Sequence, residues 1–345
     1  MKALISSITA FLIFCQVSLA TVRTVSNNLQ GGAQYTTLDA AYVASSNYDT
    51  IMVDGSNTVY EMGFWSKPLV VIGEGFNTQK ENFITTKFGK GSEGPGSGGG
   101  WVNVNGSSGS KFYGIHFVGD ANSYVNGLFC GTNVLFENCL MDRLVIAGNN
   151  ALFTNCIFLQ AMYVHGELTG VRFTNCIFNS VLGGNTSVAQ NTIVDHSLFL
   201  TPATLFISLA GLTIKNSIFM NSTDFTGITS STFQNNICRL SATFPPAGNT
   251  NGGGNQLGVD PLFASYTFGN LYSASHDYHL QAGSAAVGAA DDLTDIGLHG
   301  GSSNFSESGE VLIVPVVRSV NIINPIVEPG GTMNVQVQAS KPKDN

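Results

Sequence analysis

Tyr163, His165 and Glu167 alternate along one short stretch, and Arg143 and Arg172 stand in the stretches on either side of it. An aromatic ring beside guanidinium groups can hold an anionic sugar, the ring as stacking platform and the guanidinium forks on the carboxylate. These five residues are the candidate ligand-binding set, and the competing reading is five unrelated solvent-facing side chains. A second group, Asp291, Asp292 and Asp295, offers oxygen donors for Ca²⁺ or else forms a solvated acidic turn. No other cofactor is implied, because no cysteine falls in a CxxC or in a Cys/His cluster at zinc-ligand spacing.

Catalysis asks for more than binding. Hydrolysis of a glycoside needs two carboxyl groups ~5–10 Å apart, and proton abstraction beside a uronate needs a base together with a cation that neutralises the carboxylate. The charged residues of the middle of the chain, Glu137, Asp142, Arg143, Glu167, Arg172, Asp195, Lys215, Asp224 and Arg239, are thinly spread. The histidines add little: His116 and His196 fall in turn or core positions of the repeat described next, and His276 and His279 in a DYHL segment that reads as structural. No catalytic residue is assigned.

What must position these side chains is a repeat. FENCLM from Phe136, FTNCIF from Phe153 and again from Phe173, VDHSLF from Val194, IKNSIF from Ile214 and FQNNIC from Phe233 follow one another at offsets of 17, 20, 21, 20 and 19 residues. FYGIHF from Phe112 is a weaker earlier copy, with Gly114 in place of Asn. Self-similarity at this period marks a solenoid whose units bury their apolar faces against their neighbours. The first column is always large and apolar and faces inward, whereas the next, Glu137, Thr154, Thr174, Asp195, Lys215 and Gln234, is polar and faces water.

The third column, Asn138, Asn155, Asn175, His196, Asn216 and Asn235, is what a sharp left-handed bend selects, and its side chains are expected to bond along the stack. Glu137 and Asp195 share a column but sit three rungs, about 14 Å, apart. Asp195 and Lys215 are adjacent, and an exposed ion pair of little worth is expected there. The fourth column, Cys139, Cys156, Cys176, Ser197, Ser217 and Asn236, reads as small stacked groups, since a disulfide between parallel neighbours needs a strained dihedral.

Period-2 alternation, β-branched and aromatic residues and turn-rich spacers such as AGNN argue against a helical solenoid. The expected fold is all-β: a right-handed single-stranded parallel β-helix of ~20-residue coils with an N-terminal cap and a short C-terminal β tail, about ten coils and ~50 Å long. Residues 1–20 read as an export signal, with an early Lys2, an apolar run and the small-residue ending Ser18-Leu19-Ala20. The β-helix spans 21–300, with cap and first coils over 21–75, a Gly-rich loop over 89–100, clear repeats over 109–240 and closing coils over 241–300. The tail spans 301–345, two strands about a turn at Pro329-Gly330-Gly331.

Bulk composition agrees. Of 345 residues only 10% are charged while 43% are hydrophobic, so the core is large and the ionisable groups are few. A net charge of -8 with no Lys/Arg run excludes a nucleic-acid partner. Beyond the signal no stretch is long enough to span a bilayer. The oligomeric state is left open.

The run VDPLF, then DYHLQAGSAAVGA, then DIGLHGG resembles the end of the right-handed parallel β-helix repeat proteins that bacteria export, including those with choice-of-anchor tails. The stretch from LDAAYVASSNYDTIMV to KPLVVIGEG is similar to the opening coils of pectate-lyase-like β-helices. Ala stands here where the family has Pro after Gly-Ser. The resemblance implies an architecture and an extracellular setting more firmly than an activity, because the fold hosts many functions. It implies acidic polysaccharides as substrates if the chain is an enzyme, yet the paired-Asp, Gly-His-Gly, Arg-x-Lys and Gln-Asp motifs of such relatives are missing. The leading expectation is a secreted or cell-surface, non-catalytic protein engaging polysaccharide or another extended ligand. The alternatives are a polysaccharide lyase or hydrolase, and a structural or adhesive surface component.

Overall fold

The computed structural model describes residues 20–28, 32–77, 84–89, 101–119, 127–240, 243–303, 305–310, 316–323 and 330–340. The export signal, apart from Ala20, and the Gly-rich loop, apart from Gly89, lie outside these residues, as do parts of the C-terminal tail.

Each full coil lays strands on three faces. On the first, Lys111–Tyr113, Leu135–Glu137, Leu152–Thr154 and Arg172–Thr174 pair in parallel, and the ladder continues through 193–195, 213–215 and Thr232–Gln234. The second face is a ten-stranded sheet from Tyr60–Glu61 to Gln256–Leu257. The third carries Trp101–Asn103, Gly127–Cys130, Leu144–Ile146 and Met162–Val164, and continues through 182–184 and 206–207. This is the all-β parallel β-helix expected from the repeat, wound in the right-handed sense favoured by L-residue strands. At the N-terminal end, helix Leu38–Ala44, capped by Thr37, turns Leu38 and Ala41 into the core.

The repeat puts like on like inside the coil. Phe112, Phe136, Phe153 and Phe173 stack face to face at 5.2, 5.2 and 5.0 Å between neighbours. A second pile, Phe158, Phe178, Phe199 and Phe219, stacks at 5.2, 4.6 and 4.5 Å. The piles meet edge to face, as at Phe153–Phe158, the other favoured aromatic geometry.

Between the first and second faces the chain turns through one residue, and Asn138, Asn155, Asn175, His196, Asn216 and Asn235 all have φ between 46° and 54°. Along the stack Asn216 Nδ2 donates to Asp195 Oδ1 of the preceding coil, but the continuous side-chain ladder lies elsewhere. That ladder belongs to the buried fourth column: the backbone N–H of Cys176 donates to Ser197 Oγ, that of Ser197 to Ser217 Oγ, that of Ser217 to Asn236 Oδ1 and that of Asn236 to Asn255 Oδ1. Cys139, Cys156 and Cys176 are free thiols that donate to backbone carbonyls. Burial pushes the Cys139 and Cys156 thiols up, so they are inert hydrophobes here.

The corner Asn side chains point instead at the chain's own C-terminal part. Of residues 241–300, expected as closing coils, Gln256–Leu257 form the last rung on the second face. The chain then runs back along the rod. Asp291 meets Asn216, Thr294 meets His196, Leu298 and Gly300 meet Asn175, Ser303 meets Asn155, and Glu310 meets Asn138. Residues 308–310 reach the early coils, where Phe76 N donates to Ser308 O. The reason is apolar: the outward column Leu140, Ile157, Ile177, Leu198, Ile218 and Ile237 forms a second core with Phe263, Tyr278, Ala286, Ile296, Leu298 and Phe305. The tail forms the expected antiparallel pair, Val316–Ile322 with Val335–Ser340.

Asn175 donates to Leu298 O and Gly300 O at 2.7 and 2.8 Å and is fully buried. Asn175→Gly keeps the left-handed corner but leaves both carbonyls without that donor, so a loss of ~1–3 kcal/mol is expected. Urea denaturation measures it, with faster amide exchange in 291–310 than in the coils; a loss confined to the coils would contradict the docking.

Candidate functional site

The third face carries one outward column. Register aligns Val145, Tyr163, Gly183 and Ile207 on successive coils. Tyr163 leans over the next coil at Gly183: a Cβ on that residue would meet ring carbons Cδ1 and Cε1 at 3.1 and 3.2 Å. Glycine is therefore what lets the ring lie against the backbone. Val145 and Tyr163 are half-exposed and Ile207 is exposed, forming an apolar strip along the rod. Arg143, half-buried just before Leu144–Ile146, donates from Nη2 to Gln160 Oε1 of the next coil at 3.4 Å.

Of the sequence-derived set, Arg143 and Tyr163 are thus brought to one face of adjacent coils. His165 is exposed at the end of the same strand, its backbone N–H donating to Ile146 O, and Glu167 is exposed in the turn that follows. Arg172 belongs to the first face, paired with Leu152 and Ile193, so the intervening strand Leu168–Thr169 and the bends on either side of it separate it from Tyr163.

The densest charged group lies at the corner column. His196 Nδ1 is 2.8 Å from Asp195 Oδ1, and its Nε2 faces Thr294 Oγ1 at 3.2 Å and Asp292 Oδ2 at 3.6 Å. Lys215 Nζ is 3.5 Å from Asp195 and 2.9 Å from Asp291. Asn216 Nδ2 donates to both Asp195 and Asp291. The Asp195–Lys215 pair is therefore not the exposed one expected; the returning chain covers it, leaving the side chains 15% and 26% accessible. Gly301 permits the approach, since a Cβ there would sit 3.2 Å from His196 Nδ1. Burial disfavours the charge on Asp195, but hydrogen bonds from His196 and Asn216 and the charge of Lys215 outweigh it and hold the carboxyl below its usual range. Asp291 is lowered likewise: burial opposes its charge, and Lys215 and Asn216 prevail. For Lys215 burial works downward, yet Asp291 and Asp195 raise it. What looks like an acid–base site is a latch, with its groups spent on one another.

The acidic trio is divided among partners. Asp291 takes Lys215 and Asn216, Asp292 accepts from Thr294, and Asp295 accepts from Gly288 N at 2.9 Å. Among the described residues, one group of three His, Cys, Asp or Glu side chains brings its donor atoms within 4.8 Å of one another: His279, His299 and Glu307. Sequence spacing could not reveal it, because His279 and His299 come from separate stretches of the segment that reads as closing coils and Glu307 from the one that reads as the tail. Burial first, then the charge of His279, holds the His299 imidazole down to about 4.

No family model matches the chain, and no curated protein matches it. Among solved structures it is similar to pectin methylesterase from Aspergillus niger in deglycosylated form, with 13% identity over 76% of this chain and 94% of that one and a TM-score of 0.41. It is also similar to pectate lyase Pel9A, with 14% identity, 81% and 96% coverage and a TM-score of 0.46. For pectin methylesterase from carrot the values are 13%, 71%, 90% and 0.29. At these TM-scores the strand pairing described above, and not the likeness, defines the fold.

The latch has a pH signature. Asp195 and Asp291 are lowered on folding, so their contribution is present above the unfolded value of ~3.9 and is lost as pH falls through the folded values. Lys215 is raised, so its contribution is full below ~10.4 and is lost as pH rises through the folded value. Lys215→Met is expected to cost ~1–3 kcal/mol at neutral pH and to flatten the acid limb of stability against pH. Urea midpoints from pH 2 to 8 test this, and an unchanged acid limb would contradict it.

Proposed function

We propose that this chain is an exported, non-catalytic β-helix protein that holds an extended glycan along its third face. The observation that carries the reading is the Tyr163 ring laid half-exposed over Gly183, between Val145 and Ile207, with Arg143 at the margin. A flat aromatic surface flanked by apolar side chains stacks on a sugar ring, and a guanidinium at its edge pairs with a carboxylate where the sugar has one. Rungs repeated at one spacing suit a polymer lying parallel to the rod. Two other surfaces are committed: the returning chain covers the second face, and the corner acids hold the latch. Export rests on the N-terminal sequence, MKALISSITAFLIFCQVSLA. Among the described residues no helix is long and apolar enough to cross a membrane.

A second reading, surface attachment through the tail, is favoured by the antiparallel strands Val316–Ile322 and Val335–Ser340, where Ile322, Val335 and Val337 are exposed, as is the adjoining Ile323.

Affinity electrophoresis against a panel of uronate-containing and neutral glycans is the test, with absorbance reading unsaturated ends. Retention by at least one glycan is expected, weakened about tenfold, ~1.4 kcal/mol, by Tyr163→Ala, with no new ends formed. Cleavage would overturn the non-catalytic reading, equal retention of the variant would overturn the assigned face, and no retention at all would leave the attachment reading.

A further inference from the structure

We propose that His279, His299 and Glu307 form a binding site for a first-row transition metal ion of the zinc class, which clips the returning chain to itself beside the early coils. Three observations converge. The donor atoms of the three side chains all lie within 4.8 Å of one another, with His279 Nδ1 3.8 Å from Glu307 Oε1. The two imidazoles face each other at 3.7 Å between centroids and 16° between planes, a close approach that two protonated rings would resist. His299 Nε2 is buried and has no hydrogen-bond partner among the described residues, the kind of orphaned atom that calls for an explanation.

The surroundings suit an ion. Asp277 Oδ1 lies 2.7 Å from His279 Nδ1, so a further carboxylate oxygen stands beside the trio. Two nitrogens and one carboxylate oxygen favour zinc or a first-row neighbour over Ca²⁺ or Mg²⁺, which take oxygen donors. Three protein ligands leave a fourth position for water. Tetrahedral ligands at ~2.1 Å are roughly 3.4 Å apart, so the cluster must tighten; His279, with 58% of its side chain accessible, has the freedom to move.

The placement gives the ion a task. His279 lies in the strand Asp277–Leu280 that pairs with Phe263–Ser265, His299 follows the buried Leu298, and Glu307 stands where the returning chain reaches the early coils. Asn77 Nδ2 donates to Glu307 O at 2.9 Å, and Phe76 N donates to Ser308 O at 3.1 Å. One ion therefore joins three parts of the returning chain at its contact with coil residues 76 and 77. Zinc binding and glycan binding lie on different faces, so either can fail without the other.

Isothermal titration of the untagged full chain with ZnCl₂, with Co²⁺ as a spectroscopic probe, tests the site. The expected result is one Zn²⁺ per chain, Co²⁺ bands in the visible that report tetrahedral coordination, and a higher melting temperature with zinc. His279→Gln and Glu307→Gln should melt like wild type without metal and bind Zn²⁺ at least ~10-fold more weakly. No stoichiometric zinc, or wild-type affinity in both His279→Gln and Glu307→Gln, would overturn the proposal.

Discussion

An L-residue in the left-handed region costs ~1–2 kcal/mol unless it is Gly or a short polar residue, and this chain places such a residue at both ends of every first-face strand from Lys111 to Gln234. The pairs are Gly109 and Gly114, Asn133 and Asn138, Asn150 and Asn155, Gly170 and Asn175, Asn191 and His196, Gly211 and Asn216, and Ser230 and Asn235, all with positive φ. Two corners at constant separation fix the length of that strand, and fixed length keeps Phe112, Phe136, Phe153 and Phe173 in register for stacking. A slip of one residue would turn the phenylalanines outward. Core, register and rod all follow from where the chain can bend left-handed.

The corners also decide which surfaces remain for function. A left-handed residue directs its side chain away from the coil interior, so the second of the two corners presents a line of amides and one imidazole along the rod. The returning chain uses that line. Asn138, Asn155, Asn175, His196 and Asn216 bind it while the apolar column from Leu140 to Ile237 is covered. Charges that would be catalytic candidates on a bare coil, Asp195, His196, Lys215 and Asp291, become structural partners. The third face keeps an open column, Val145, Tyr163 and Ile207.

Much of this was legible in the chain itself. The repeated Phe, the polar neighbour and the Asn give strand, exposure and bend directly, because each is set within one coil and by its identical neighbours. The partners of the corner amides were not legible: Asn175 bonds to Leu298 and Gly300, more than a hundred residues later, and nothing local encodes that meeting. For the same reason Asp195 and Lys215 read as a weak exposed pair until Asp291 is folded over them. Arg172 read as a neighbour of Tyr163 by sequence distance, whereas one turn sends it to another face. The metal-ligand trio was hidden by the same reversal of the chain.

The central claim is that the third face receives an extended glycan while the second face and its corner column hold the chain's own returning segment. Hydrogen exchange of the protein with and without a retained oligosaccharide tests it most directly. The account predicts added protection in 144–146, 162–164, 182–184 and 206–207, with the second-face strands and residues 291–310 unchanged. Protection that falls on the corner column or on the returning chain, and spares the third face, would contradict it.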